Sequence, residues 1–152
     1  MTYRYLIPSN PVSKKNSQRI ATNKKTGKPF ILQSQKYNDF ETAASYFLQP
    51  KPKKPIDYPV TVKCTFYMQT RRKVDKSNLE AAIHDILTKY DIISDDNRDI
   101  VASTDGSRVY YDKANPRVEI VISPLNEEYE QWKSQDTVKS AVRTSRKAKK
   151  SV

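Results

Sequence analysis

Between residues 59 and 87 the hydrophobic period of this chain switches from two to nearly four. Val60, Val62, Cys64, Phe66 and Met68 alternate with Thr61, Lys63, Thr65 and Tyr67, the pattern of a half-buried strand. Leu79, Ala82, Ile83, Ile86 and Leu87 then recur at helical spacing and form one apolar stripe. Ser77-Asn78-Leu79-Glu80 fits the S-x-x-E capping box, which puts Ser77 at the N-cap. A strand and a helix with one apolar face each are expected to pack together. The expected fold is one small α+β domain, a mixed β-sheet with the 77–87 helix on it.

The remaining chain supplies the other elements. Residues 2–7 alternate weakly and predict a first strand, and 30–32 a short returning one. Residues 8–28 have loop composition, with a turn signal at Lys25-Thr26-Gly27-Lys28. Tyr37, Phe40, Ala44 and Phe47 predict a helix over 35–48, ended by Pro50 and followed by a stiff connector at 51–55. Residues 99–111 are strand-rich, with Asp105-Gly106 marking a hairpin turn or a bulge. A turn at 112–116 precedes a last strand carrying Val118, Ile120 and Ile122. Residues 1–125 therefore form the expected domain. Residues 126–152 are expected to hold a short helix over 126–132 and a disordered basic tail.

At 152 residues the chain suits one domain with a real core. No apolar run approaches the ~20 residues of a membrane span, and the N-terminus lacks the pattern of a signal peptide. Cys64 is the only cysteine, which excludes an intrachain disulfide and a cysteine-built zinc site. A cytoplasmic location is the default. The net charge is +11. Lys139, Arg143, Arg146, Lys147, Lys149 and Lys150 account for six of it, so residues 1–136 still carry +5. A second acid-free stretch holds Lys14, Lys15, Arg19, Lys24, Lys25 and Lys28. Such stretches suit a polyanion, and equally well solubility and non-specific binding.

Against this background the acids are informative. Asp75 precedes the central helix and Asp95-Asp96 follows it, with Arg71-Arg72-Lys73 on one side and Arg98 on the other. Converging carboxylates suit Mg²⁺, or Mn²⁺ in its place, while Arg and Lys suit phosphates around it. Each motif alone has a plainer account: Asp95-Asp96-Asn97 as a turn, Asp75 as an acid favoured by the helix dipole. A shared site also limits the helix. Run on to Tyr90 it would be ~20 Å long, and the five residues to Asp95 reach at most ~17 Å. The helix is therefore expected to stop near Leu87, with Thr88 to Ser94 folding back. Asn78 and Asp85 share a helix face offset from the apolar stripe. His84, the only histidine, has no obvious partner, and Cys64 belongs to the core. Gly27 and Gly106 are the only glycines, so no Gly-rich phosphate loop exists and no nucleotide cofactor is expected. Tyr67, Tyr110 and Tyr111 suit stacking on unpaired bases or ordinary core-edge packing.

The order of these motifs resembles the RusA family of Holliday junction resolvases, small endonucleases common in phages and prophages. The family has an Asp-x-Asp-Asn-Leu segment opening a helix, a later helix Asp, and an Asp-Asp pair before a strand. Val74-Asp75-Lys76-Ser77-Asn78-Leu79, Asp85 and Asp95-Asp96 match these in turn. The opening Ile7 to Ser17 and the closing run Arg108 to Ile122, with Pro116-Arg117, are similar to family members as well, so the resemblance covers about 3–123. Two positions depart from it. Ser77 stands where many members have a second metal-binding Asp, and Ala81 where the helix usually offers a catalytic Lys.

The resemblance implies a RusA-like homodimer that binds four-way DNA junctions and makes paired cuts. Asp75, Asp95 and Asp96 are then the expected metal ligands and catalytic acids, with Ser77, Asn78 and Asp85 beside them. Lys14, Lys15, Arg71, Arg72, Lys73, Lys76 and Arg108 are the expected DNA-backbone contacts. The alternative is a junction-binding protein with weak or no cleavage, which Ser77 and Ala81 favour.

Overall fold

The computed structural model describes residues 1–14, 18–125 and 135. Among these residues, seven strands and two helices follow in the order β1 (Tyr3–Ile7), β2 (Gln18–Thr22), β3 (Pro29–Gln33), α1 (Gln35–Phe47), β4 (Val60–Met68), α2 (Lys76–Lys89), β5 (Val101–Ser103), β6 (Arg108–Tyr111) and β7 (Arg117–Pro124). The main sheet is mixed, as expected. β1 pairs antiparallel with β7, and β7 antiparallel with β4. Both β5 and β6 lie parallel to β4 on its other side. A parallel neighbour needs a crossover, and α2 supplies it between β4 and β5.

The alternating strand at 60–68 is as the period-two pattern requires. Val60, Val62, Cys64, Phe66 and Met68 are all buried, and they meet Leu79, Ile83, Ile86 and Leu87 of α2 in one core. Ile7, Ile120 and Ile122 join from β1 and β7, and Phe40 and Ala44 from α1. Phe47, expected on the buried stripe of α1, is 45% exposed, and Leu48 is buried in its place. The helix ends at that point: Leu48 is the C-cap, its N–H reaching Ala44 O, and its backbone turn carries its side chain inward.

One expectation needs correction, and one open alternative is decided. Residues 8–28 are not all loop, because Gln18–Thr22 pairs with Pro29–Gln33 as a separate two-stranded ribbon. Its strands lack a buried face, so no periodicity announced β2. Asp105-Gly106 is not a hairpin turn, since β5 and β6 run along the same edge of β4. Six residues from Ser103 to Arg108 oppose five from Thr61 to Thr65, which is a bulge-like interruption of one edge. Gly106 has φ +87°, and a Cβ there would stand 2.8 Å from Lys63 Cδ. Ser107 is buried at the break, where its Oγ accepts the Cys64 N–H at 3.0 Å.

The expected 126–132 helix and basic tail lie outside the described residues. Among those described, no helix is long and apolar enough to cross a membrane.

Candidate active site

α2 is the rod on which the candidate acids are mounted. Asp75 is its N-cap, with φ −84° and ψ 112°. The Asp75 carboxylate accepts the Ser77 N–H at 3.1 Å and the Ser77 hydroxyl at 2.7 Å. Ser77 is thus inside the first turn and not the N-cap. The capping box fails because Glu80, its second half, is buried and paired with Lys76 Nζ at 3.2 Å instead. Arg72 and Lys73 line a concavity with Asp75, Lys36 and Asn10. Asn10 Oδ1 accepts the Gln69 N–H at 2.9 Å, which ties the N-terminal segment to the end of β4. The sequence reading missed Asn10 as a positioning residue.

At its other end α2 runs two residues further than expected, to Lys89, with Tyr90 as C-cap. The reversal comes at Asp91, which has φ +62°. The Ile92 and Ile93 N–H groups then both reach Leu87 O, at 2.9 and 3.3 Å. Both isoleucines are buried, and Ile93 bridges to Ile56. This apolar plug fixes the start of the acidic loop. Asp95 then organises a turn: its Oδ1 accepts the Asp96 N–H at 2.7 Å and its Oδ2 the Asn97 side-chain amide at 3.2 Å.

The longer helix determines which acids meet. Asp75 and Asp85 are ten positions apart, ~15 Å along the axis. The returning chain brings Asp96 to the level of Asp85, and the two line one concavity with Lys14, Gln33 and Tyr37. Loss of water around its carboxyl, contact with Asp95, and the charge and contact of Asp85 all raise the Asp96 pKa above its ordinary value. Lys14 Nζ stands 3.7 Å from Asp85 Oδ2. Asp85 and Asp96 therefore share one concavity, with Asp95 in contact with Asp96, while Asp75 lines a different concavity. Among the described residues no three His, Cys, Asp or Glu side chains form a metal-ligand cluster. Asp85 is more central than its sequence suggested, and its sequence signal was the helix face shared with Asn78.

His84 is half-buried on α2. Its Nε2 is buried without a hydrogen-bond partner among the described residues. Burial lowers its pKa, against the opposing charges of Glu80, Asp96 and Asp85. Cys64 is core, fully buried, and burial drives its thiol pKa far up.

The expected DNA contacts are dispersed. Lys76 and Lys14 are engaged with Glu80 and Asp85. Arg71 lies over the Tyr111 ring at 4.2 Å, and Arg108 donates to Ser107 O at 2.9 Å. Arg72 and Lys73 are exposed beside Asp75. Lys15 lies outside the described residues. The tyrosines form a cationic stack: Arg117 sits 3.6 Å over Tyr67, which lies 5.6 Å from Tyr110. Ion pairs to Asp112 and Glu119, each 3.0 Å, hold Arg117 in place.

Residues 8–123 match the family model described as endodeoxyribonuclease RusA. No curated protein matches the chain.

Proposed function

The chain belongs to the RusA family of endodeoxyribonucleases, and from that membership we propose a Mg²⁺-dependent, structure-selective nuclease that resolves four-way DNA junctions as a homodimer. The observation that carries this reading is the family match itself, whose span of 8–123 includes Asp75, Asp85, Asp95 and Asp96. A dimer suits the substrate, because a junction approximates two-fold symmetry and two equivalent sites meet two equivalent strands.

The acids fit a hard divalent ion. Asp96 and Asp85 line one concavity, and desolvation first, then contact with Asp95 and the charge and contact of Asp85, raise the Asp96 pKa. These two would hold Mg²⁺, or Mn²⁺ in its place, and Asp95 fixes Asp96 through its N–H. When bound, the ion supplies an activated water and charge stabilisation for phosphodiester hydrolysis. Asp75, the acid expected with Asp95 and Asp96 in the ion site, heads the same helix and is proposed to act from the substrate side, among Arg72 and Lys73. Lys14, Arg71, Lys76 and Arg108 would contact the DNA backbone. Contacts of that kind position DNA without reading its sequence.

A second reading is a junction-binding protein with weak or no cleavage. The specific observation favouring it is that Asp75 is hydrogen-bonded to Ser77, where many members carry another acid, and that Ala81 offers no charge. One experiment separates the two. A synthetic four-way junction, incubated with and without Mg²⁺, is nicked symmetrically only with the ion under the first reading. Binding without nicking in either condition selects the second.

A further inference from the structure

The β2–β3 ribbon has no place in the main sheet, and its composition is unusual for an exposed element. Ile20 and Ile31 are cross-strand partners, 79% and 64% exposed. Phe30, on the opposite ribbon face, is 45% exposed. A two-stranded ribbon showing apolar residues on both faces is marginal by itself in water. Its turn is nevertheless well built: Asn23 N and O bond Lys28 O and Gly27 N at 2.9 and 2.8 Å, and its Oδ1 accepts the Lys25 N–H at 2.9 Å.

Charge says what covers this ribbon. Residues 1–38 contain eight Lys and Arg and not one Asp or Glu. Arg19, Lys24, Lys25 and Lys28 belong to the ribbon itself, so its complement is a polyanion with an apolar surface to offer. Stacked bases exposed at a DNA branch point are such a surface. The root of the ribbon meets the candidate site, since Gln33, the last residue of β3, lines the same concavity as Asp85 and Asp96. The next residue, Ser34, caps α1 by accepting the Tyr37 N–H at 3.1 Å, so the root is fixed to the domain.

We propose that the β2–β3 ribbon reads the junction: its Ile20–Ile31 pair packs against the unstacked base pairs at the branch point while Arg19, Lys24 and Lys25 hold flanking phosphates. This inference rests on the reading of the chain as a junction-directed nuclease. Apolar side chains presented to base steps in this way favour sites already unstacked. A branch point offers such a site without the cost of opening a duplex, which gives selectivity for branched over linear DNA.

The test is Ile20→Thr/Ile31→Thr, which keeps β-branched residues on the strands and removes the apolar surface. Binding is measured without divalent ion to a four-way junction and to a linear duplex, with 2-aminopurine beside the branch. The double variant is expected to lose about tenfold or more of the junction preference and the branch-point fluorescence change, with duplex affinity kept. Lys24→Ala/Lys25→Ala weakens both substrates alike, and the slope of log K against log salt flattens by up to ~0.9 for each phosphate no longer neutralised. A second measurement does not depend on that variant's folding. Cys64 is buried, so Ile20→Cys carries the one accessible thiol among the described residues. It should form a disulfide, by exchange that releases a small thiol, with a base tethered through an activated disulfide at the branch and not with one ten base pairs along an arm. Unchanged junction preference in the double variant, or equal crosslinking at both positions, overturns the proposal. So does a change from dimer to monomer in the double variant, which would give the ribbon to a second copy of the chain. If wild-type protein has no junction preference, the functional reading itself fails and this inference falls with it. Retained preference in the variant sinks the ribbon alone.

Discussion

The Ser77 hydroxyl donates to the Asp75 carboxylate at 2.7 Å, and the backbone N–H of the same serine donates at 3.1 Å. Acid and alcohol are one capping unit at the head of α2. Asp75 therefore has a structural duty besides any catalytic one, and the two can be separated by choice of substitution.

Asparagine caps a helix about as well as aspartate, whereas alanine does not. Asp75→Asn should leave thermal stability within ~0.5 kcal/mol of wild type, and Asp75→Ala should cost ~1 kcal/mol. Junction cleavage should be strongly reduced in both, with binding kept. Denaturant titration reads the first effect and single-turnover cleavage the second. Full cleavage by Asp75→Asn would leave the acid with only its cap.

Ser77→Asp places a carboxylate in the first turn beside Asp75. The helix dipole favours it and Asp75 repels it, so the net change without divalent ion should be under ~1 kcal/mol. With Mg²⁺ present the thermal midpoint should rise more in the variant than in wild type, because the new pair of acids gains a counter-ion. Equal Mg²⁺ responses in differential scanning fluorimetry would mean that no ion reaches this end of the helix.

How much of this was legible in the sequence depended on burial. β4 and α2 carry a buried face each, so Val60 to Met68 and Leu79 to Leu87 could be read directly from period. β2 buries almost nothing, so Arg19 and Ile20 gave no pattern to find. The acids were visible as types, but their grouping was not. It depended on two extra helical residues, Thr88 and Lys89, and on the αL turn at Asp91. No local signal announced either, and together they bring Asp96 to the concavity of Asp85, while Asp75 lines another.

Ser107 fills the break between β5 and β6. Its Oγ is the acceptor for the Cys64 N–H in the middle of the core strand, and the residue is 1% exposed. Ser107→Ala leaves that buried donor unsatisfied and should cost ~1–3 kcal/mol. Ser107→Thr, which keeps a hydroxyl, should recover part of it. Equal stability of the alanine variant and wild type in urea would show that another acceptor serves Cys64.

The six cations of residues 137–152 should add affinity without selectivity. Truncation after Asp136 lowers the net charge from +11 to +5. The slope of log K against log salt should flatten by up to ~0.9 for each phosphate the tail had neutralised, equally for junction and duplex. A truncated chain without a preference for junctions would move recognition from the folded domain to the tail.

Asp96 makes the acidic pair testable without any assay of cleavage. Desolvation of its carboxyl, contact with Asp95 and the Asp85 charge raise its folded pKa above the ordinary 3.8. The folded chain then holds this proton to higher pH than the unfolded chain does. By linkage, the Asp96 contribution to stability is most favourable below 3.8 and is lost as pH rises through the raised value. Asp96→Asn has no such proton to lose. Without divalent ion, the variant should therefore gain on wild type across that window and stay ahead at neutral pH. Asp85→Asn removes the neighbouring charge and should shrink the same difference by lowering the Asp96 pKa. Mg²⁺ should act in the opposite sense, stabilising wild type above the window and leaving Asp96→Asn almost unchanged. The measurement is the thermal midpoint of the three proteins from pH 3 to pH 8, with chelator and with Mg²⁺. A wild-type minus Asp96→Asn difference that is flat with pH, and indifferent to Mg²⁺, would mean that Asp85 and Asp96 neither share a charge problem nor hold an ion.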